Sequence, residues 1–112
     1  MAMHQHTRVR AHRTPGQVAT ETRRELAAVF AAVDNPAAME RLFDDLFTRA
    51  ELHDLILRWR LMKMLQEGVP QRVIAETLGI SLCKITRGSR VLKQPDAIVA
   101  KLLRRARTTQ AS

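Results

Sequence analysis

Apolar residues in this chain recur three and four positions apart, in short stretches interrupted by hydroxyl, amide, proline and glycine residues, and no stretch alternates apolar with polar over a strand's length. A period near 3.6 with no competing period of two restricts the chain to amphipathic helices. Four glycines, four prolines and 4% aromatic residues leave extended structure without support. An all-α fold is expected, and at 112 residues a single domain.

Residues 1–16, MAMHQHTRVRAHRTPG, hold three arginines, three histidines and almost no large apolar groups, and end in Pro-Gly. Too little apolar surface is available there to offset the entropy of ordering, so the segment reads as a flexible basic N-terminal arm, with residues 17–112 as the all-helical domain. His4 would be third in the chain if Met1 were removed, a position suited to Cu(II) or Ni(II). A solvated tail is the favoured reading of such a segment, and no metal site is assigned.

From Thr22, TRRE forms a capping box opening a helix that carries Leu26, Val29, Phe30 and Val33 and ends near Asp34. Asn35-Pro36 starts a second helix with the stripe Met39, Leu42, Phe43, Leu46 and Phe47, ending at Thr48. TRAE, Thr48 to Glu51, opens a third and longest helix. Its Leu52, Leu55, Ile56, Trp59, Met62 and Leu65 are expected inward, Trp59 as a core residue, with Gly68 closing the helix. Gln94-Pro95-Asp96 restarts the chain into a last helix with Ile98, Val99, Leu102 and Leu103 inward, giving six helices. Short helices with one apolar seam each need covering, and a second copy of the chain is the expected cover.

Charge narrows the partner. Residues 1–50 carry seven Lys/Arg against six Asp/Glu and residues 51–112 carry twelve against five, so +7 of the formal +8 lies in the second part. Such a surface attracts polyanions, and nucleic acid leads. The longest apolar run, Leu26 to Val33, has eight residues, whereas a membrane helix needs about 20. With no signal peptide's apolar region, a soluble cytoplasmic protein without a membrane partner is expected. The single cysteine, Cys83, cannot form an internal disulfide and is expected to be a small, half-buried filler.

The stretch QRVIAETLGISLCKITRGSRVLK, residues 71–93, carries the chemistry. Ile74 and Leu78 share a face one turn apart and Ala75 permits close approach. Gly79 supplies the positive φ of a tight turn and Ser81 can cap the next helix. This is a helix-turn-helix layout. With Ile85 at the centre of the buried side, 100° per residue places Leu82, Ser89 and Leu92 near it and turns Cys83, Arg87 and Arg90 away. Lys84 and Thr86 flank that outer side, and no acid lies between Ser81 and Lys93. A cationic helix of this kind suits a major groove.

LGISLCKITRGS, with Gln71-Arg72 upstream, resembles the tryptophan-operon repressor family, and the similarity runs from about Leu46 through Lys93. ITRGS is its most specific part, since Gly88 stands where helix-turn-helix proteins in general have an aliphatic residue. The resemblance implies an intertwined, all-helical homodimer that binds a palindromic operator in double-stranded DNA. L-tryptophan would act as corepressor, and the genes controlled would serve tryptophan biosynthesis or transport. It implies further that Arg58 and Arg87 sandwich the indole, that Thr48 lies near the bound carboxylate and that Gly88 leaves room for the ring. The partner subunit's Asp45 and the partner subunit's Phe47 would offer backbone carbonyls to the ammonium. A flat π system between planar cations gains roughly 0.5–2 kcal/mol, and a carboxylate takes charge-assisted hydrogen bonds.

For DNA, the matching positions are Gln71, Arg72, Leu82, Cys83, Lys84, Thr86 and Lys93, and Arg90 faces outward beside them. The chain departs from the family's pattern in places. Lys84 stands where the family has threonine, adding a phosphate contact. Ala75 replaces a lysine, and the loop before Gln71 is one residue shorter. Val91 replaces a serine beside the ligand, so the accepted effector can be tryptophan or another indole or amino acid.

No nucleophile with a base, paired acids or phosphate loop marks the chain as an enzyme, and no catalytic residue is assigned. Two alternatives stand beside the effector-dependent repressor. One is a regulator of the same fold that binds DNA without tryptophan, and the other is a basic helical module that meets an acidic protein.

Overall fold

The computed structural model describes residues 12–111, with side chains described as far as Ala106. The basic arm expected over residues 1–16 therefore lies, up to residue 11, outside the described residues. Among those described, the chain is all-helical, with six helices: α1 (Pro15–Ala32), α2 (Pro36–Leu46), α3 (Arg49–Gln66), α4 (Gln71–Leu78), α5 (Leu82–Lys93) and α6 (Ile98–Ala111). They fall into two compact units that part between Leu46 and Phe47.

The first unit contains α1 and α2. Thr14, not Thr22, is the N-cap of α1: its hydroxyl accepts from the Gln17 N–H at 3.1 Å and the Gln17 side chain accepts from the Thr14 N–H at 2.9 Å. The Pro-Gly pair expected to end the arm forms the first turn of the helix. Proline's missing N–H falls there on a donor that every helix start leaves unpaired. Arg13 pairs with Glu21. Asn35 starts α2 as expected, its side-chain oxygen accepting from the Ala38 N–H at 3.0 Å. The Phe30 and Phe43 rings pack at 6.4 Å, yet neither helix has a buried residue, and Val18, Leu26 and Val29 on α1 are exposed.

The second unit holds α3 to α6. The Thr48–Glu51 capping box opens α3, which equals α1 in length rather than exceeding it. Its packing corrects the expected stripe. Leu61 and Met62 are buried and Leu57, Met64 and Leu65 join the core, whereas Leu55, Ile56 and Trp59 are exposed, Trp59 by 38%. The core cluster is Leu61 of α3, Ile74 and Leu78 of α4, and Ile85 of α5, with Ile74 and Ile85 fully enclosed. Gly79 sits at φ 65° between α4 and α5, in the left-handed region, with open space where a Cβ would stand.

At the far end, Ala97 and Leu103 are buried and Val99 is half-buried, while Ile98 is 70% exposed and Leu102 is also exposed. Of the four residues expected inward on α6, Val99 and Leu103 are so placed and Ile98 and Leu102 are not. Leu82 is exposed as well, because it begins α5 ahead of the turn in which Ile85 meets the core. Cys83 is fully on the surface rather than a half-buried filler.

Two substitutions separate side-chain packing from backbone conformation in this unit. Ile85→Ala should lower stability by about 2–5 kcal/mol, as truncation of an enclosed aliphatic does. Gly79→Ala should lose about 1–2 kcal/mol, from the left-handed backbone alone. Urea unfolding at one fixed protein concentration measures both, and losses in the reverse order would contradict this assignment of roles.

Candidate functional site

The turn after α4 fixes how α5 is presented. The Gly79 N–H donates to the Ala75 carbonyl at 2.9 Å, and the Ser81 hydroxyl accepts from the Lys84 N–H at 3.3 Å. With Ile85 held in the core, Cys83, Lys84, Thr86, Arg87, Arg90 and Lys93 are all exposed, as the wheel of α5 requires. Gln71 and Arg72, the first residues of α4, are exposed too, as is Leu82. All the residues expected to face DNA therefore lie open to solvent on these two helices.

Behind α5, a cavity of about 320 Å³ lies against α3. Helix α3 contributes Leu55, Arg58, Trp59 and Met62, with Leu61 at its edge, and α6 contributes Val99. From α5 come Lys84, Arg87, Gly88 and Val91. Both four-residue sets follow the spacing i, i+3, i+4, i+7, so each is one continuous helix face. The volume falls at the small end of the range of roughly 300–1,000 Å³ usual for ligand pockets, and the walls are apolar with a few polar groups, as such pockets are.

Of the residues expected around an effector, Arg58, Arg87 and Gly88 share this cavity. Thr48 does not line it: its hydroxyl caps α3, and ten residues at 1.5 Å rise put it about 15 Å along the axis from Arg58. Asp45 is exposed near the end of α2, and half-buried Phe47 precedes α3. Phe47 does not line the cavity. Gly88 has a second role. A Cβ there would stand 3.1 Å from the Leu65 Cδ1 and 3.1 Å from the Met62 Sδ, so the missing side chain also lets α5 cross close to α3.

Lys84 and Trp59 are cavity residues that the sequence reading placed elsewhere, one toward DNA and the other in the core. Spacing from Leu55 and Met62 places Trp59 on this face, whereas Lys84 is identified only by where α3 lies against α5. A smaller cavity, about 30 Å³, lies beside the first and shares Arg58, Leu61 and Lys84 with it, adding Asp54, Leu57 and Ile80. Among the described residues there is no group of three His, Cys, Asp or Glu placed to hold a metal, and no helix long and apolar enough to cross a membrane.

A family model described as Trp repressor protein matches residues 21–107. A Trp operon repressor homolog of Xylella fastidiosa strain M23 is 35% identical over 65 residues, which cover 57% of this chain and 71% of that protein. A Trp operon repressor homolog of Chlamydia trachomatis serovar D is 40% identical over 62 residues, which cover 51% of this chain and 66% of the homolog. No solved structure matches significantly.

The first turn of α5 carries Cys83 and Lys84 and rests on one side-chain cap. Ser81→Ala should therefore lower stability by about 1 kcal/mol, with Ser81→Asp retaining most of it, as read by thermal unfolding. Equal stability of all three proteins would mean that the cap does not hold the helix start.

Proposed function

The chain belongs to the Trp repressor protein family, and on that premise we propose that it is a transcriptional repressor that binds double-stranded DNA through α4 and α5 and takes L-tryptophan as corepressor. The observation that carries this reading is that one helix, α5, has two faces. Its outer side presents Cys83, Thr86, Arg90 and Lys93 to solvent, and its inner flank lines a cavity with Arg87 and Gly88 opposite Arg58 of α3. A planar aromatic wedged between the two guanidiniums would tie α5 to α3 and set the angle at which the outer side meets a groove.

The functional unit in this reading is a homodimer. Apolar side chains at Leu55, Ile56 and Trp59 of α3 and at Ile98 and Leu102 of α6 lie exposed in the single chain. Such an apolar surface is what an obligate interface would cover. Thr48, Asp45 and Phe47 would meet the ligand from the second copy. Two copies related by a two-fold axis would read a palindrome with half-sites about one helical turn apart. The outward arginines and lysines make the sequence-independent part of that binding, and Arg72 can fork onto a guanine edge.

The test is a binding titration at fixed salt, with a palindromic duplex and its scrambled counterpart. Adding L-tryptophan should tighten palindrome binding by roughly 5–150-fold, the usual range of coupling between two sites. Arg87→Ala should remove most of that increase. Equal affinity with and without tryptophan would leave a regulator that binds DNA without this effector. Equal affinity for both duplexes would leave a basic module with no sequence preference.

A further inference from the structure

Three cations converge on the main cavity: Arg58 from α3, and Lys84 and Arg87 from α5. The other lining residues carry no carboxylate and no hydroxyl. Among the described residues, no carboxylate lies within ion-pair range of any of the three. Asp54, which lines only the smaller neighbouring cavity, is the acid on that side. Like charges facing a partly apolar space repel, and an anion placed among them relieves the repulsion while taking charge-assisted hydrogen bonds.

Lys84 owes its place in this cluster to the backbone. It stands three residues before Arg87, four before Gly88 and seven before Val91, and all four line one cavity. The same side chain lines the smaller cavity with Arg58, so it sits where α5 crosses α3 rather than on the outer side with Cys83 and Arg90. Val91 adds no hydroxyl to that wall.

We propose that Lys84 is a specificity-determining residue of the effector site, binding the acid group of the ligand. This rests on the reading of the cavity as an effector site, and it assigns Lys84 to the ligand rather than to a DNA phosphate. An aromatic carrying only an amine meets three cations and no wall acid, and is rejected.

Calorimetric titration of the full chain without DNA, at low salt, tests it, since a phosphate contact cannot move such a measurement. The probes are L-tryptophan, indole-3-propionate, neutral tryptophol and cationic tryptamine. In the unaltered protein the two acids should bind, tryptophol should bind more weakly and tryptamine weakest. Lys84→Gln should weaken both acids about tenfold and leave tryptophol within twofold, while Lys84→Arg should restore the acids. Tryptophol thus also shows that the variant is folded. Unchanged tryptophan binding in Lys84→Gln, or equal losses for acids and tryptophol, would overturn the role of Lys84 while the effector site stands. Failure of the unaltered protein to bind any of the four would overturn the effector reading, and this inference with it.

Discussion

The enclosure of Ile85 against Leu61, Ile74 and Leu78 is the constraint from which the rest of the second unit follows. Once that one side chain is inward, the direction of every other residue on α5 is set by 100° steps. Cys83 and Arg90 have to face out, Lys84, Gly88 and Val91 fall on one flank, and Arg87 lies between that flank and the outer side. A short helix with a single enclosed anchor could still roll about its axis. Gly79 limits that freedom by setting the turn, and Gly88 limits it further by allowing α5 close enough to α3 for side chains to interlock.

Helix α3 serves two apolar surfaces at once. Leu57, Leu61, Met64 and Leu65 pack against the α4–α5 pair, and Leu55, Trp59 and Met62 form a cavity wall. That division explains which parts of the structure were legible in the sequence. On α4 and α5 the large apolar residues are few, so spacing identifies Ile74, Leu78 and Ile85 as the anchors and the outer cations follow. On α3 nearly every turn carries apolar groups on two sides, and spacing alone cannot say which side meets the core. The stripe of Leu55, Trp59 and Met62 was a true face, but its neighbour is a cavity.

End signals divided in the same way. The capping box at Thr48 and the cap at Ser81 form as read, each after a short break that ends the preceding helix, at Phe47 and at Gly79-Ile80. At Thr22 the TRRE pattern is present but lies inside α1, since Thr14-Pro15-Gly16-Gln17 supplies a capping box of its own and the helix simply runs through. A capping pattern specifies a start only where the preceding backbone cannot be helical. The family resemblance singles out Arg58, Arg87 and Gly88, which spacing and composition alone leave as a solvated arginine, an outward cation and a packing glycine. Lys84 needed the opposing helix: helical spacing gives a direction from the axis of α5, and only the position of α3 turns that direction into a cavity wall.

Lys84 also breaks a local rule. It lies in the first turn of α5, where the helix dipole favours an acid, and that turn contains none. A cation there costs roughly 0.3–1 kcal/mol at an exposed site. Breaches of local preference concentrate where a residue answers to something other than the fold. If the proposed ligand acid binds at Lys84, its negative charge compensates the lysine and the helix start together, and it does so at the end of α5 that carries Cys83. The ligand would then firm the first turn of the helix as well as tie that helix to α3. Effector binding and DNA reading would be coupled through one short segment, with no need for a longer path through the protein.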